Sequence, residues 1–207
     1  MKRHFILFVF VSLLLATARA DAAGTYNLVF FGDSLTVGYG LDDPSDAFPG
    51  VIQKKISAEN LPWHVTNAGL SGETTAGGLR RVDWILRQPA DIFVLELGGN
   101  DALRGLPVDS SEANLQGIID HVKSKSPSTK IVLAGMEAPR NLGDNYTQSF
   151  AAMYRSLAEK NHLVLIPFLL ERVGGRSELN QPDGIHPTPE GHAMVAETVW
   201  KVIRPLL

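Results

Sequence analysis

Cysteine is absent from the 207-residue chain. No disulfide can brace the fold and no cysteine is there to carry a lipid anchor, so a hydrophobic core has to hold the fold even in an oxidising compartment. Cationic excess is absent too. Nineteen Lys and Arg against 22 Asp and Glu leave a net charge of −3, scattered along the chain, which offers no basic stripe to a nucleic acid. After the N-terminal segment no apolar run is long enough to span a bilayer. The chain also lacks the phosphate loop G-x-x-x-x-G-K-[ST], the dinucleotide fingerprint G-x-G-x-x-G, the zinc motif H-E-x-x-H and the nucleophile elbow G-x-S-x-G. No internal repeat or low-complexity linker divides it.

The first twenty residues stand apart. Lys2 and Arg3 precede an apolar run from Phe5 to Leu15 broken only by Ser12, and Ala18-Arg19-Ala20 supplies small residues at cleavage positions. A spanning helix needs about 20 apolar residues, so this run predicts a cleaved secretory signal over 1–20 rather than an anchor. The remainder, 21–207, suits one domain with a full core and a periplasmic or secreted destination, with no membrane span in the mature form.

Five short apolar runs alternate with amphipathic stretches. Strands are predicted at Tyr26–Phe31, His64–Asn67, Ile92–Leu97, Ile131–Gly135 and Leu163–Ile166. The runs DIFVLELGGND and KIVLAGMEA are nearly continuous in apolar residues, as strands covered on both faces should be. Three-and-four spacing marks helices through Phe48-Val51-Ile52-Lys55-Ile56, Leu79-Val82-Trp84-Ile85-Leu86, Leu115-Ile118-Ile119-Val122, Phe150-Met153-Tyr154-Leu157 and Met194-Val195-Val199-Val202. Thr188 and Pro189 read as N-cap and first residue of the last helix. The alternation predicts an α/β fold, a five-stranded parallel sheet with helices on both faces. Right-handed crossovers then bring all strand C-termini to one edge, where ligands bind in such sheets.

The polar clusters follow the strands. Gly32-Asp33-Ser34, Asn67 to Thr75, Gly98-Gly99-Asn100-Asp101 and Ala138-Pro139-Arg140-Asn141 therefore gather at that edge, and Asp183-Gly184-Ile185-His186 can fold back over it. A serine hydroxyl needs a base, and the base needs a carboxylate to hold its tautomer. Ser34, His186 and Asp183 supply these types, with Asp183 three residues from His186 on one loop. Alone, Asp33 or Ser34 is also a helix cap, and D-x-x-H-P is also a surface capping arrangement. Acyl transfer further needs donors for an oxyanion. The Ser34 N–H, the N–H of Gly72 in NAGLSGETT and the Asn100 amide are the candidates; the competing readings are a turn glycine and an Asx turn.

Four ordered blocks, FFGDSLTVGYG, NAGLSGETTAGGL, ELGGNDALRGL and DGIHPTPEGH, resemble the GDSL lipases and esterases of the SGNH hydrolase superfamily. They run from Phe30 to His192, nearly the whole mature chain. The resemblance implies Ser34 as nucleophile and oxyanion donor, Gly72 and Asn100 as further donors, His186 as base and Asp183 as its partner. GMEAPRNLGDNY resembles the branch of multifunctional thioesterase/lysophospholipase enzymes and arylesterases. That branch implies a three-layer, flavodoxin-like α/β/α sandwich, an open acyl cleft and no cofactor. The implied substrates are small-molecule acyl esters and thioesters, lysophospholipid included.

The remaining residues get lesser roles. Asp33 is expected to orient the turn, and His192 to face solvent or cap a contact, with no metal site. His64, His121 and His162 have no special placement, and Ser71 belongs to a glycine loop. Asn145-Tyr146-Thr147 fits a glycosylation sequon. Leu103, Leu106, Pro107 and Leu142, on loops flanking the cleft, either line an acyl pocket or serve as packing. The competing functions are a flavodoxin-like binding module without chemistry and a deacetylase of acetylated carbohydrate.

Overall fold

A computed structural model describes residues 25–207, so the signal segment expected at 1–20 lies outside the described residues. Among these, five strands form one parallel sheet: β1 (Tyr26–Gly32), β2 (Trp63–Gly69), β3 (Ile92–Glu96), β4 (Lys130–Ala134) and β5 (Val164–Ile166), in the order β2-β1-β3-β4-β5. All four pairings are parallel; Gly32 of β1 stands opposite Gly69 of β2 on one side and Glu96 of β3 on the other. Every residue of β3 is buried, in keeping with its near-continuous apolar run.

Among the described residues, seven α-helices accompany the sheet: α1 (Ser34–Val37), α2 (Phe48–Ala58), α3 (Thr75–Ile85), α4 (Gly99–Leu103), α5 (Val108–Lys125), α6 (Asp144–Asn161) and α7 (Pro189–Ile203). Helix α2 packs with α7, while α3 packs with α5 and α5 with α6, giving the two outer layers. The apolar stripes of α5 and α6 are buried as their spacing predicts. Helix α3 differs in one place. Trp84 lies two residues past the buried Val82, off the three-and-four stripe, and is 63% exposed. Thr188 caps α7, accepting from the Gly191 N–H at 3.2 Å, with Pro189 in the first turn.

The core is one largely aliphatic cluster in which five phenylalanines are among the largest fully buried side chains. Phe30, Phe31, Phe48, Phe93 and Phe150 are all essentially inaccessible to solvent, and each such ring contributes on the order of 1.5–3 kcal/mol. From β1 the chain goes to β2 on one side and later to β3 on the other, so the sheet's switch point falls between β1 and β3. In such sheets the connections leaving the two strands diverge at this point, and the ligand crevice lies beyond their C-terminal ends. Residues 33–34 and 98–101 form its lips.

Candidate active site

Strand β1 ends in a tight turn. The Asp33 carboxylate caps α1 by accepting the Leu35 N–H at 3.0 Å, and Gly38, left-handed at φ +81°, closes this single-turn helix by donating to the Ser34 carbonyl. Ser34 is thereby held at the first helical position, where its N–H has no acceptor within the helix. Only 8% of Ser34 is exposed, and its Oγ lies 2.9 Å from His186 Nε2.

His186 comes from the loop before α7, and that loop builds its own geometry. His186 Nδ1 is 2.7 Å from Asp183 Oδ2, while Asp183 Oδ1 accepts the N–H groups of Ile185 at 2.9 Å and His186 at 3.0 Å. The hydrogen bond from His186, then these backbone bonds, hold the Asp183 carboxyl down at about 2. The Gln181 N–H donates to the His186 carbonyl at 2.7 Å, closing the turn through left-handed Gly184 at φ +70°. The Gln181 amide then ties the loop to α1's exit, donating to the Tyr39 carbonyl at 2.8 Å. The Tyr39 ring rests against the imidazole, centroids 4.7 Å apart.

Gly72 occupies the third position of a turn closed by Glu73 N–H to Leu70 O at 3.1 Å, with φ +77°, which glycine adopts without strain. One side of α4 clasps this turn. Asn100 Nδ2 donates to the Glu73 carbonyl at 3.1 Å, Arg104 to the Gly72 carbonyl at 3.0 Å, and Asp101 accepts the Thr75 N–H at 2.9 Å. Asn100 Nδ2 also donates to Asp33 Oδ2 at 3.0 Å. A single amide therefore bridges the neighbour of Ser34 and the neighbour of Gly72, and both its N–H groups are engaged.

Asp33 is 2% exposed, and burial pushes its carboxyl up to about 6 against the opposing Leu35 N–H and Asn100 amide. Its expected role in orienting the turn agrees with this placement, and the Asn100 contact adds to it. Of the apolar residues on the flanking loops, Leu103 is exposed on α4, and Leu142 packs partly buried against the core. Leu106 and exposed Pro107 lead into α5. The Tyr146 hydroxyl donates to the Leu106 carbonyl at 2.7 Å and ties these two loops together. Ser71 is exposed beside Gly72, Asn145 opens α6 from an exposed position, and His121 pairs with Asp83 on the surface.

Sequence reasoning missed several contributors. Tyr39, Leu70 and Ile185 present exposed apolar surface beside His186 and Gly72; all three sit inside or next to the polar motifs, which was the available signal. Asp101 and Arg104 hold the Gly72 turn, and Glu96 accepts the Asp33 N–H. Of the two placements expected for His192, facing solvent or capping a contact, the structure shows the second. His192 is 1% exposed, its Nδ1 accepts the Phe48 N–H at 3.3 Å, and burial lowers its pKa to about 4.

The sequence pattern of the GDSL-like lipase/acylhydrolase family matches residues 30–194. Esterase TesA of Pseudomonas aeruginosa is 36% identical over 207 residues, covering 99% of this chain and 100% of the relative. Thioesterase 1/protease 1/lysophospholipase L1 of Escherichia coli K12 is 36% identical over 199 residues, 96% of this chain and 92% of the relative. A crystal structure of TesA superposes with a TM-score of 0.83 at 36% identity, covering 87% of this chain and 99% of that one. By its sequence pattern across both lips of the crevice, and by its kinship with these enzymes, the chain belongs to the GDSL-like lipase/acylhydrolase family.

Proposed function

We propose that this chain is an exported serine esterase that hydrolyses acyl esters and thioesters through an acyl-enzyme intermediate. In this reading residues 1–20 direct export and 21–207 form a single catalytic domain in the periplasm or outside the cell. The observation that carries it is the continuous relay from Ser34 Oγ through His186, 2.9 Å to Nε2 and 2.7 Å from Nδ1 to Asp183. The names of the relatives, esterase TesA and thioesterase 1/protease 1/lysophospholipase L1, support acyl substrates, lysophospholipid among them.

Ser34 Oγ attacks the acyl carbonyl while His186 Nε2 takes its proton, and Asp183 stabilises the imidazolium that forms. The carbonyl oxygen becomes an oxyanion, received by the N–H groups of Ser34 and Gly72 and the amide of Asn100. One Asn100 N–H exchanges its resting acceptor, Asp33 or the Glu73 carbonyl, for the oxyanion. The imidazolium then protonates the departing alcohol or thiol as the C–O or C–S bond breaks. Water, deprotonated by the same imidazole, attacks the acyl-serine, and its breakdown returns the proton to Ser34 and frees the acid. The protein's own side chains perform each transfer. Leu103, Leu106, Pro107 and Leu142, joined by Tyr39, Leu70 and Ile185, provide apolar surface for the acyl chain.

A fluorophosphonate probe tests the assignment. It should label wild-type protein at Ser34 and leave Ser34→Ala unlabelled. Ser34→Ala and His186→Ala should each lose roughly 10⁴- to 10⁶-fold in kcat on acyl esters, by analogy with serine proteases. Folded wild-type protein that is never labelled would point to a binding module instead. Faster turnover of acetylated xylan than of p-nitrophenyl esters or acyl thioesters would replace the substrate class.

A further inference from the structure

Glu96 ends β3 beside the turn that carries Ser34, and its side chain is completely buried. One of its oxygens, Oε2, accepts two hydrogen bonds: from the Asp33 N–H at 3.1 Å and from the Thr36 hydroxyl at 2.7 Å. These donors flank Ser34, one on the residue before it and one two residues after. Thr36 is itself fully buried, so the bond to Glu96 is what satisfies its hydroxyl. The other oxygen, Oε1, has no hydrogen-bond partner among the described residues.

The space for this arrangement comes from Gly32, which faces Glu96 in the register of β1 and β3. A Cβ there would fall 2.3 Å from Glu96 Oε2 and 2.1 Å from Thr36 Oγ1. A glycine, a threonine and a glutamate thus interlock beside the turn that carries Ser34.

We propose that Glu96 is the positioning residue for the nucleophile turn: by gathering the Asp33 N–H and the Thr36 hydroxyl onto one oxygen, it sets the direction in which Ser34 Oγ meets His186. The proposal rests on the reading of Ser34 as nucleophile. Burial first, and the neighbouring Asp33 charge second, push the Glu96 carboxyl well above the usual carboxylate range. What Glu96 supplies to the turn is Oε2, an acceptor shared by two donors. Asp33, whose carboxyl is raised only to about 6, carries the charge near neutral pH and holds Asn100. The two carboxyl groups divide the work: one fixes the nucleophile, the other the oxyanion amide.

The test compares Glu96→Gln, Glu96→Ala and Thr36→Val, with kcat expressed per fluorophosphonate-reactive site and thermal unfolding measured alongside. Glutamine is uncharged, has the same shape and keeps the accepting oxygen, so kcat should stay within about threefold of wild type, as expected where orientation is preserved. Alanine leaves both donors unpaired and the turn free to shift. Its kcat and its rate of labelling should fall roughly 10- to 100-fold with KM little changed, the usual consequence of misplacing a reacting atom. Thr36→Val removes one donor at similar volume and should show a smaller loss of the same kind; it decides the matter if the alanine variant does not fold. Glu96→Gln as damaged as Glu96→Ala would overturn the proposal, because charge rather than acceptance would then be needed. Folded Glu96→Ala or Thr36→Val with wild-type kcat and labelling would overturn it as well. Wild-type protein that is not labelled at Ser34 would instead remove the nucleophile reading, and the positioning role with it.

Discussion

Acidification should destabilise this protein through His192, by an amount that can be worked from its surroundings. His192 is inaccessible to solvent, its ring stacks on Phe48 at 6.3 Å, and its Nε2 has no partner among the described residues. Burial, then repulsion from His186, lowers its pKa from 6.5 to about 4, although Asp46 pulls the other way. The unfolded chain therefore takes up this proton first as the pH falls. Stability that is complete above the unfolded value drains away between 6.5 and about 4, and below that range both states are protonated and the loss stops. At about 1.4 kcal/mol per pH unit, this site alone costs about 2.5 kcal/mol by about pH 4.5. Asp33 works in the opposite direction. Its carboxyl is raised to about 6, so its contribution to stability is present at low pH and lost as pH rises through that value. Total stability against pH mixes the two, and the difference between wild type and a non-titrating variant isolates His192. Urea unfolding of wild type and His192→Asn, whose carbonyl can still accept the Phe48 N–H, should give a free-energy difference that changes by about 2.5 kcal/mol between about pH 7 and 4.5. Parallel curves for the two proteins over that range would refute the reasoning, as would an NMR titration of this ring near its ordinary midpoint.

Two further outcomes follow from the site. Asn100→Ala should lower kcat by about 10²- to 10³-fold, the usual loss for one oxyanion donor; steady-state kinetics giving an unchanged kcat would remove Asn100 from that role. Gly32→Ala should destabilise the fold by roughly 1–3 kcal/mol, the usual cost of overpacking, because its Cβ would also meet the Glu96 carbonyl at 2.7 Å, where backbone cannot yield as a side-chain tip can. Thermal unfolding checks this, and an unchanged midpoint would show the turn to be softer than its contacts imply.

Much of the framework could be read from residue order. All five strands lie within a few residues of their apolar runs, because β-branched and aromatic residues in short, bounded runs admit few alternatives. Asp183 and His186 were legible for a related reason: their partnership is local, made within one turn. Contacts between distant elements were not. Glu96 stands inside a run whose strength comes from its apolar neighbours, and alternation cannot say that its carboxyl meets Thr36 from another strand's exit turn. Arg104 and Asp101 likewise act on a turn nearly thirty residues upstream. His192 is instructive because only one of its two expected placements, capping a contact rather than facing solvent, holds. Its spacing to Val195 and Val199 places it on the buried stripe of α7, yet its polar type left the surface open beside a capping contact. Periodicity was the better guide, because the Phe48 N–H gives the ring a partner in the interior.

The single turn that carries both Asp183 and His186 makes acid and imidazole one cassette. Its internal bonds, from the Ile185 and His186 N–H groups and from Gln181 to the His186 carbonyl, travel with it when the segment breathes. Thermal drift of the segment thus leaves the Asp183–His186 geometry intact and alters only the reach of the imidazole to the Ser34 hydroxyl. In the proposed mechanism, catalytic output becomes a function of one gap, and variation in the stretch before the cassette can lengthen or reshape the surface without retuning the proton chemistry.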